Sequence, residues 1–249
     1  MMMHPVVFIH GSGDSARIWR LQMEELGKDQ QVAAIDLPGH GERADTFPEN
    51  ATVQDYAKVA HDIIQDELQL NHPIIAGHSL GGAIALTMAL EYGAELGGLI
   101  LIGTGARLRV HPSLLEAAQA TPLQAKRQLT ELGVTQGNVG TIAQTVLNEQ
   151  VTPGPSILYR DLAACNAFDC IAHMHEISLP TLIICGADDR LTPVKYSQFL
   201  HDHMKSSTLR VIPKAGHYVM REQPEQVSQA IMEWLEEIFC YGNPKHTGC

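Results

Sequence analysis

Short, almost continuous apolar runs punctuate the chain, separated by longer stretches in which apolar residues recur every third or fourth position. The runs are Val6 to Ile9, Gln31 to Asp36, Ile74 to Ala76, Leu99 to Ile102, Thr181 to Gly186 and Leu209 to Ile212. Strands covered by helices on both faces lose the alternation of a half-exposed sheet, so such runs predict buried parallel strands. Between them, Trp19, Met23 and Leu26 are spaced for a helix, and Ala83 to Tyr92 is a run of helix formers stopped at Gly93. Thr52-Val53-Gln54-Asp55 reads as a capping box with Thr52 as N-cap. It opens a helix whose single apolar face holds Tyr56, Val59, Ala60, Ile63, Ile64 and Leu68. Pro224 opens the last helix, which is expected to bury Val227, Ile231, Trp234, Leu235 and Ile238, and the polar tail from Tyr241 to Cys249 is expected to fray. This alternation predicts an α/β fold, a mostly parallel sheet of about six strands flanked by helices.

From Ala106 to about Ile177 the strand signals stop. Helical stretches around Leu114 to Ala120, Gln124 to Leu132, Ile142 to Asn148 and Ser156 to Phe168 are divided by prolines and glycines. A helical insert of this length in an alternating chain predicts a cap. Residues 1–105 and 178–249 would then form the core, with 106–177 as a lid over its site.

Composition narrows the class. With 45% apolar residues in 249, the chain has enough for a substantial core, and it holds no apolar run long enough to span a membrane. The start, Met1 to Pro5, lacks the charged and apolar regions of a signal peptide. Five cysteines without metal-ligand spacing fit reduced thiols in a cytoplasmic protein. A net charge of -11 argues against nucleic acid or an anionic membrane as partner. No cofactor or metal motif is read.

The chemistry centres on Gly77-His78-Ser79-Leu80-Gly81. Short strand, tight turn and helix are what a serine nucleophile needs, held out on a crowded turn where only small neighbours fit. The N–H of Leu80, at the helix start, would face a developing negative charge. The glycine-rich loop His10 to Gly13 offers a second such donor at Ser12. The Asp188-Asp189 pair and His217 also come after predicted strands, and in parallel sheets function gathers beyond the strands' carboxyl ends. A serine hydroxyl needs an imidazole to take its proton, and the imidazole needs a carboxylate to fix its tautomer. Ser79, an acid from that pair and His217 supply the three types. His40 reads as a structural loop residue, and Arg107 and Arg109 as solvated surface residues. His173 with His175, and His201 with His203, stand two apart, which on a helix points to different faces and away from a metal site.

These motifs together resemble the α/β-hydrolase family, in its small esterase-like group, over essentially the whole chain. His10-Gly11 resembles its oxyanion loop, Asp36 to Gly41 the motif after the next strand, Gly77 to Gly82 the nucleophile elbow, Gly186-Ala187-Asp188-Asp189 the acid turn and Gly216-His217 the histidine loop. The family places the acid three residues after the glycine, which selects Asp189. The two strands that usually open the fold are missing, since Val6 already begins the oxyanion strand. The resemblance implies a serine hydrolase of small carboxylic esters, with Ser79, Asp189 and His217 catalytic and Ser12 and Leu80 as oxyanion donors. Carbon-carbon hydrolysis or lyase chemistry on the same triad, and slow-turnover ligand sensing, stay open as alternatives.

Overall fold

The computed structural model describes residues 4–149, 154 and 156–241; the tail beyond Tyr241, expected to fray, lies outside the described residues. Six strands, β1 (Val6–Ile9), β2 (Val32–Ile35), β3 (Ile74–His78), β4 (Gly98–Ile102), β5 (Thr181–Gly186) and β6 (Ser207–Ile212), form one sheet in the order β2-β1-β3-β4-β5-β6. Every pairing is parallel. The helices in chain order are α1 (Arg20–Leu26), α2 (Val53–Asp62), α3 (Leu80–Tyr92), α4 (Pro112–Ala120), α5 (Pro122–Gly133), α6 (Gln144–Glu149), α7 (Ile157–Ala167), α8 (Val194–His203), α9 (Val219–Glu222) and α10 (Pro224–Tyr241).

The four inner strands are buried along their whole length, while β2 and β6, at the edges, are partly exposed. Successive residues of a strand face opposite sides of the sheet. Val7, Ile9, Ile75, Leu99 and Leu101 therefore pack against α2, α3 and α8. Val6, Phe8, Ile74, Ile100 and Ile102 pack on the other side, with Trp19, α1 and α10. Both faces need apolar side chains, hence the continuous runs. In α10, Val227, Ile231, Trp234 and Leu235 are buried and Ile238 is partly so.

The structure departs from the sequence pattern after α2 and at α8. The Thr52 capping box forms as expected, with the Asp55 N–H donating to Thr52 Oγ1 and the Thr52 N–H to Asp55 Oδ2 at 2.7 Å. After Asp62, however, the chain enters a π-helical turn, Ile63–Glu67, whose wider winding rotates the next residues away from the helix's earlier phase. Ile63 and Ile64 stay buried, while Leu68 falls on the surface instead of on the apolar face. The helix α8 is not predicted by the sequence pattern. It buries only Ser197 and Leu200, too few positions to leave a readable apolar stripe.

The insert leaves and re-enters the core at one point. Arg107 bridges Asp169 in antiparallel fashion, and the Cys170 N–H donates to the Ala106 carbonyl at 2.8 Å. Between them, α4 to α7 enclose a small core of Ala118, Ala125, Leu129, Leu158 and Leu162. The α7 helix is bonded to the sheet domain through buried polar groups. Asp161 accepts from the Gly13 N–H and from His40 Nε2, both at 2.8 Å, and from the Tyr56 hydroxyl. Arg160 donates to Tyr56 Oη, Asp45 and the Pro38 carbonyl.

This attachment depends on charge. Burial works against a charged imidazole at His40, and Arg160 adds to that, but the Asp161 carboxylate outweighs both and holds the His40 pKa above its ordinary value. A raised folded-state pKa gives stability that is complete below the unfolded value of about 6.5 and is lost as pH rises through the folded value. The thermal midpoint of the native protein should therefore fall between pH 6.5 and the alkaline range by more than that of His40→Gln. At pH 6 the variant should be less stable by roughly 3 kcal/mol, since Asp161 is left as a buried, unpaired charge. Parallel pH profiles in thermal melts would contradict this.

Candidate active site

The turn between β3 and α3 is a single residue. Ser79 adopts φ 53° and ψ -113°, outside the regions that an L-residue ordinarily favours. Such a conformation costs about 1–3 kcal/mol and persists only where neighbours over-determine it. Here the Ser79 N–H donates to the Ile102 carbonyl of β4 at 3.0 Å, and its own carbonyl accepts from Thr104 Oγ1 at 2.9 Å. A side chain at Gly77 would collide with the Gly81 carbonyl, and one at Gly81 with the Ile9 carbonyl of β1. The two glycines around Ser79 are thus a steric requirement of β3, α3 and β1 lying so close.

The sheet order reverses between β1 and β3, and such a switch point opens a crevice beyond the carboxyl ends of the two strands. The register pairs Ile9 with Gly77, which sets the loop from His10 beside the elbow. A Cβ added to Gly11 would stand 3.3 Å from Ser79 Cβ. His10 braces this loop from below. Its Nε2 accepts from the Leu37 N–H at 3.1 Å, so Nδ1 carries the proton and donates to the Gly11 carbonyl at 2.9 Å. Burial, aided by His40, pushes the His10 pKa down to about 3, which keeps that tautomer neutral. Ser12 is buried in the crevice wall, and Leu80 opens α3, where an N–H has no intrahelical partner.

His217 lies beyond β6 and Asp189 beyond β5. Asp189 Oδ1 accepts the N–H groups of Leu191 and Thr192, both at 2.8 Å. Its Oδ2 accepts the Thr192 hydroxyl at 2.8 Å and His217 Nδ1 at 2.9 Å. Burial works against its charge, but His217 and these donors outweigh it and hold the carboxyl below the usual range. An ionised carboxylate only accepts, so Nδ1 carries the proton and Nε2 is left as the basic nitrogen. Asp188, its neighbour, is exposed. The His217 backbone is gripped as well: its N–H donates to the Gly133 carbonyl at the end of α5, and its carbonyl accepts from His78 Nε2 at 3.1 Å.

Ser12, Ser79 and His217 meet at one cavity of about 500 Å³, with Asp189 behind His217. Leu108, Leu114, Leu129 and Leu162 from the insert line the same cavity. Arg109 and His111 also line it. Arg109 is half-exposed and 3.6 Å from Asp169. Arg107, likewise half-exposed, is not part of the lining. His40 lies away from the cavity, against Asp161. His173 bonds Glu176, His201 bonds Ser207 and His203 bonds the Phe199 carbonyl. Sequence reasoning passes over Thr192, His78 as a brace of His217, and Lys126 with Asp14. Of these only Thr192 leaves a trace, a hydroxyl residue three positions after the acid, where local side-chain to backbone bonding is common.

The model of the alpha/beta hydrolase family matches residues 6–230. A thermophilic esterase of known structure is 32% identical, covers 94% of this chain and 90% of its own, and superposes with a TM-score of 0.78. A thermophilic esterase from Thermogutta terrifontis, solved with malate bound, is 26% identical with the same coverage and a TM-score of 0.85. RutD of Escherichia coli, provisionally named a carbamate hydrolase, is 26% identical over 94% of this chain and 91% of its own length. With its parallel six-stranded sheet, its serine-bearing elbow and a family match over nearly its whole length, the chain belongs to the alpha/beta hydrolase family and is a hydrolase.

Proposed function

We propose that the protein is a carboxylesterase that cleaves small esters through an acyl-enzyme on Ser79. The observation that carries this reading is the pairing of a proton-directing Asp189–His217 couple with a serine held at positive φ in the same cavity wall. His217 Nε2 takes the Ser79 proton as Oγ adds to the ester carbonyl. The N–H groups of Leu80 and Ser12 stabilise the oxyanion, each worth roughly 3 kcal/mol. Collapse of the tetrahedral intermediate breaks the bond to the alcohol, which leaves with the proton from His217. Water then repeats the sequence at the acyl carbonyl. The leucine-lined side of the cavity suits an apolar acyl group, and its size is that of a small-molecule pocket.

A turnover series on p-nitrophenyl esters of increasing acyl length should peak at short chains. Ser79→Ala should lower kcat by about four to six orders of magnitude with the melting temperature unchanged. Substantial residual turnover would remove Ser79 as nucleophile. The likeness to RutD makes a matched carbamate the control: the ester should be cleaved at least about a hundredfold faster, and the reverse order would replace the ester reading by carbamate hydrolysis.

Asp189→Asn tests the acid separately. An amide in that place favours the wrong imidazole tautomer, so kcat should fall by about 10⁴ with KM little changed. Asp188→Asn, at the exposed neighbour, should leave both within twofold. Equal effects of the two in steady-state kinetics would reject Asp189 as the histidine's partner.

A further inference from the structure

Three buried groups near the cavity are not used by that mechanism: Lys126 on α5, Asp161 on α7, and Asp14 just after the oxyanion loop. Lys126 and Asp161 converge on one peptide plane, and Asp14 pairs with Lys126. Lys126 Nζ donates to the Ser12 carbonyl at 3.2 Å, and the Gly13 N–H donates to Asp161 Oδ2 at 2.8 Å. The Ser12–Gly13 peptide is therefore held at its oxygen by one helix of the insert and at its nitrogen by another. The gap is closed on both sides. Gly13 has φ +64°, and a Cβ there would stand 3.0 Å from Leu158 Cδ1 and 3.3 Å from Lys126 Cδ.

Each grip is charged and locked in turn. Lys126 Nζ is 2.6 Å from Asp14 Oδ1 and 3.3 Å from the Tyr218 hydroxyl. Burial works against its charge, but Asp14 and then Tyr218 outweigh burial and hold its pKa above the ordinary lysine value. Asp161 has His40 and Tyr56 on its remaining lone pairs. Lys126 also meets the histidine loop, because Tyr218 is the residue after His217, and the far end of the same α5 supplies the Gly133 carbonyl to His217 N–H. One helix of the insert thus touches both the loop that would hold the oxyanion and the loop that carries the base.

We infer that Lys126 and Asp161 are positioning residues: by fixing the Ser12–Gly13 peptide they hold Ser12 in place, so that its N–H, on the preceding peptide, keeps its direction toward the oxyanion, and the insert is part of the catalytic apparatus and not only a cover. This rests on the reading of Ser79 as nucleophile and Ser12 as oxyanion donor. Mispositioning by about 1 Å at a reacting centre costs on the order of a hundredfold in rate, and donors of this kind act on the transition state more than on bound substrate.

The test is the double variant Lys126→Met/Asp14→Asn, which removes the ion pair without leaving a bare buried carboxylate. Beside it, Asp161→Asn weakens the other end of the same peptide. Each is measured in ester turnover and against an alkyl trifluoromethyl ketone of the preferred chain length. In that probe Ser79 Oγ adds to the carbonyl carbon, its proton passes to His217, and the ketone oxygen becomes an oxyanion without any bond breaking to a leaving group. The expected result is a ten- to hundredfold fall in kcat with KM within about twofold, and a rise in the ketone's Ki by the same factor as the fall in kcat/KM. A folded variant with kcat and Ki unchanged, or with only KM raised, overturns the inference while native, Ser79-dependent turnover keeps the esterase reading standing. Native turnover that survives Ser79→Ala overturns both. If the double variant does not fold, Asp161→Asn alone carries the same expectation and the same refutation.

Discussion

The backbone of Ser79 is the constraint that the rest of the structure depends on. Its positive φ is unfavourable in isolation and is kept by four neighbours: Ile102 and Thr104 on the β4 side, and the close passage of Gly77 and Gly81 against each other and against β1. The sheet order is what brings these neighbours together. Because β1 and β3 are adjacent and leave in opposite directions, the loop after one and the elbow after the other share a single crevice. Strain of about 1–3 kcal/mol is small against the burial of four fully enclosed strands, so the sheet can hold a serine in a conformation that the serine alone would not take.

Around that point the protein sorts its buried imidazoles by partner. His10 and His78 have only backbone carbonyls or N–H groups within reach, and burial drives both pKa values down, so they remain neutral and serve as braces. His40, equally buried, has a carboxylate, and its pKa moves up. His217 has a carboxylate on Nδ1, which fixes its tautomer, and lines the same cavity as Ser79. The same residue type thus serves three purposes, and the distribution of carboxylates decides which.

Burial and crowding decide what can be read from the sequence. The inner strands are legible because burial on both faces writes a continuous apolar run, and the elbow because its crowding demands glycines at fixed offsets from Ser79. His217 and the acid pair are legible from their places after predicted strands, whereas the choice of Asp189 over its exposed neighbour Asp188 comes through the family pattern. Leu68 is misplaced by periodicity because a π-turn shifts the helical phase without leaving a glycine or proline to mark it. His40 looks unpaired in the sequence because its partner, Asp161, lies 121 residues away and belongs to another helical layer. The lysine at 126 looks like any polar residue of an amphipathic helix; only the closure of the insert over Gly13 makes it buried.

The insert's two sides are unlike in what holds them. Lifting α5 and α7 from the sheet domain would separate Lys126 from Asp14 and Asp161 from His40, exposing charges whose partners are themselves buried, at several kcal/mol for each broken pair. At Arg109 and His111 the fastenings are of another kind. Arg109 reaches Asp169 at 3.6 Å and His111 bonds Ser113, all at the surface, where such contacts contribute about 0–1 kcal/mol. Side-chain rotation there costs far less than displacement of the helices. The insert is thus held firmly where α5 and α7 meet the sheet domain and lightly at the edge that carries Arg109 and His111.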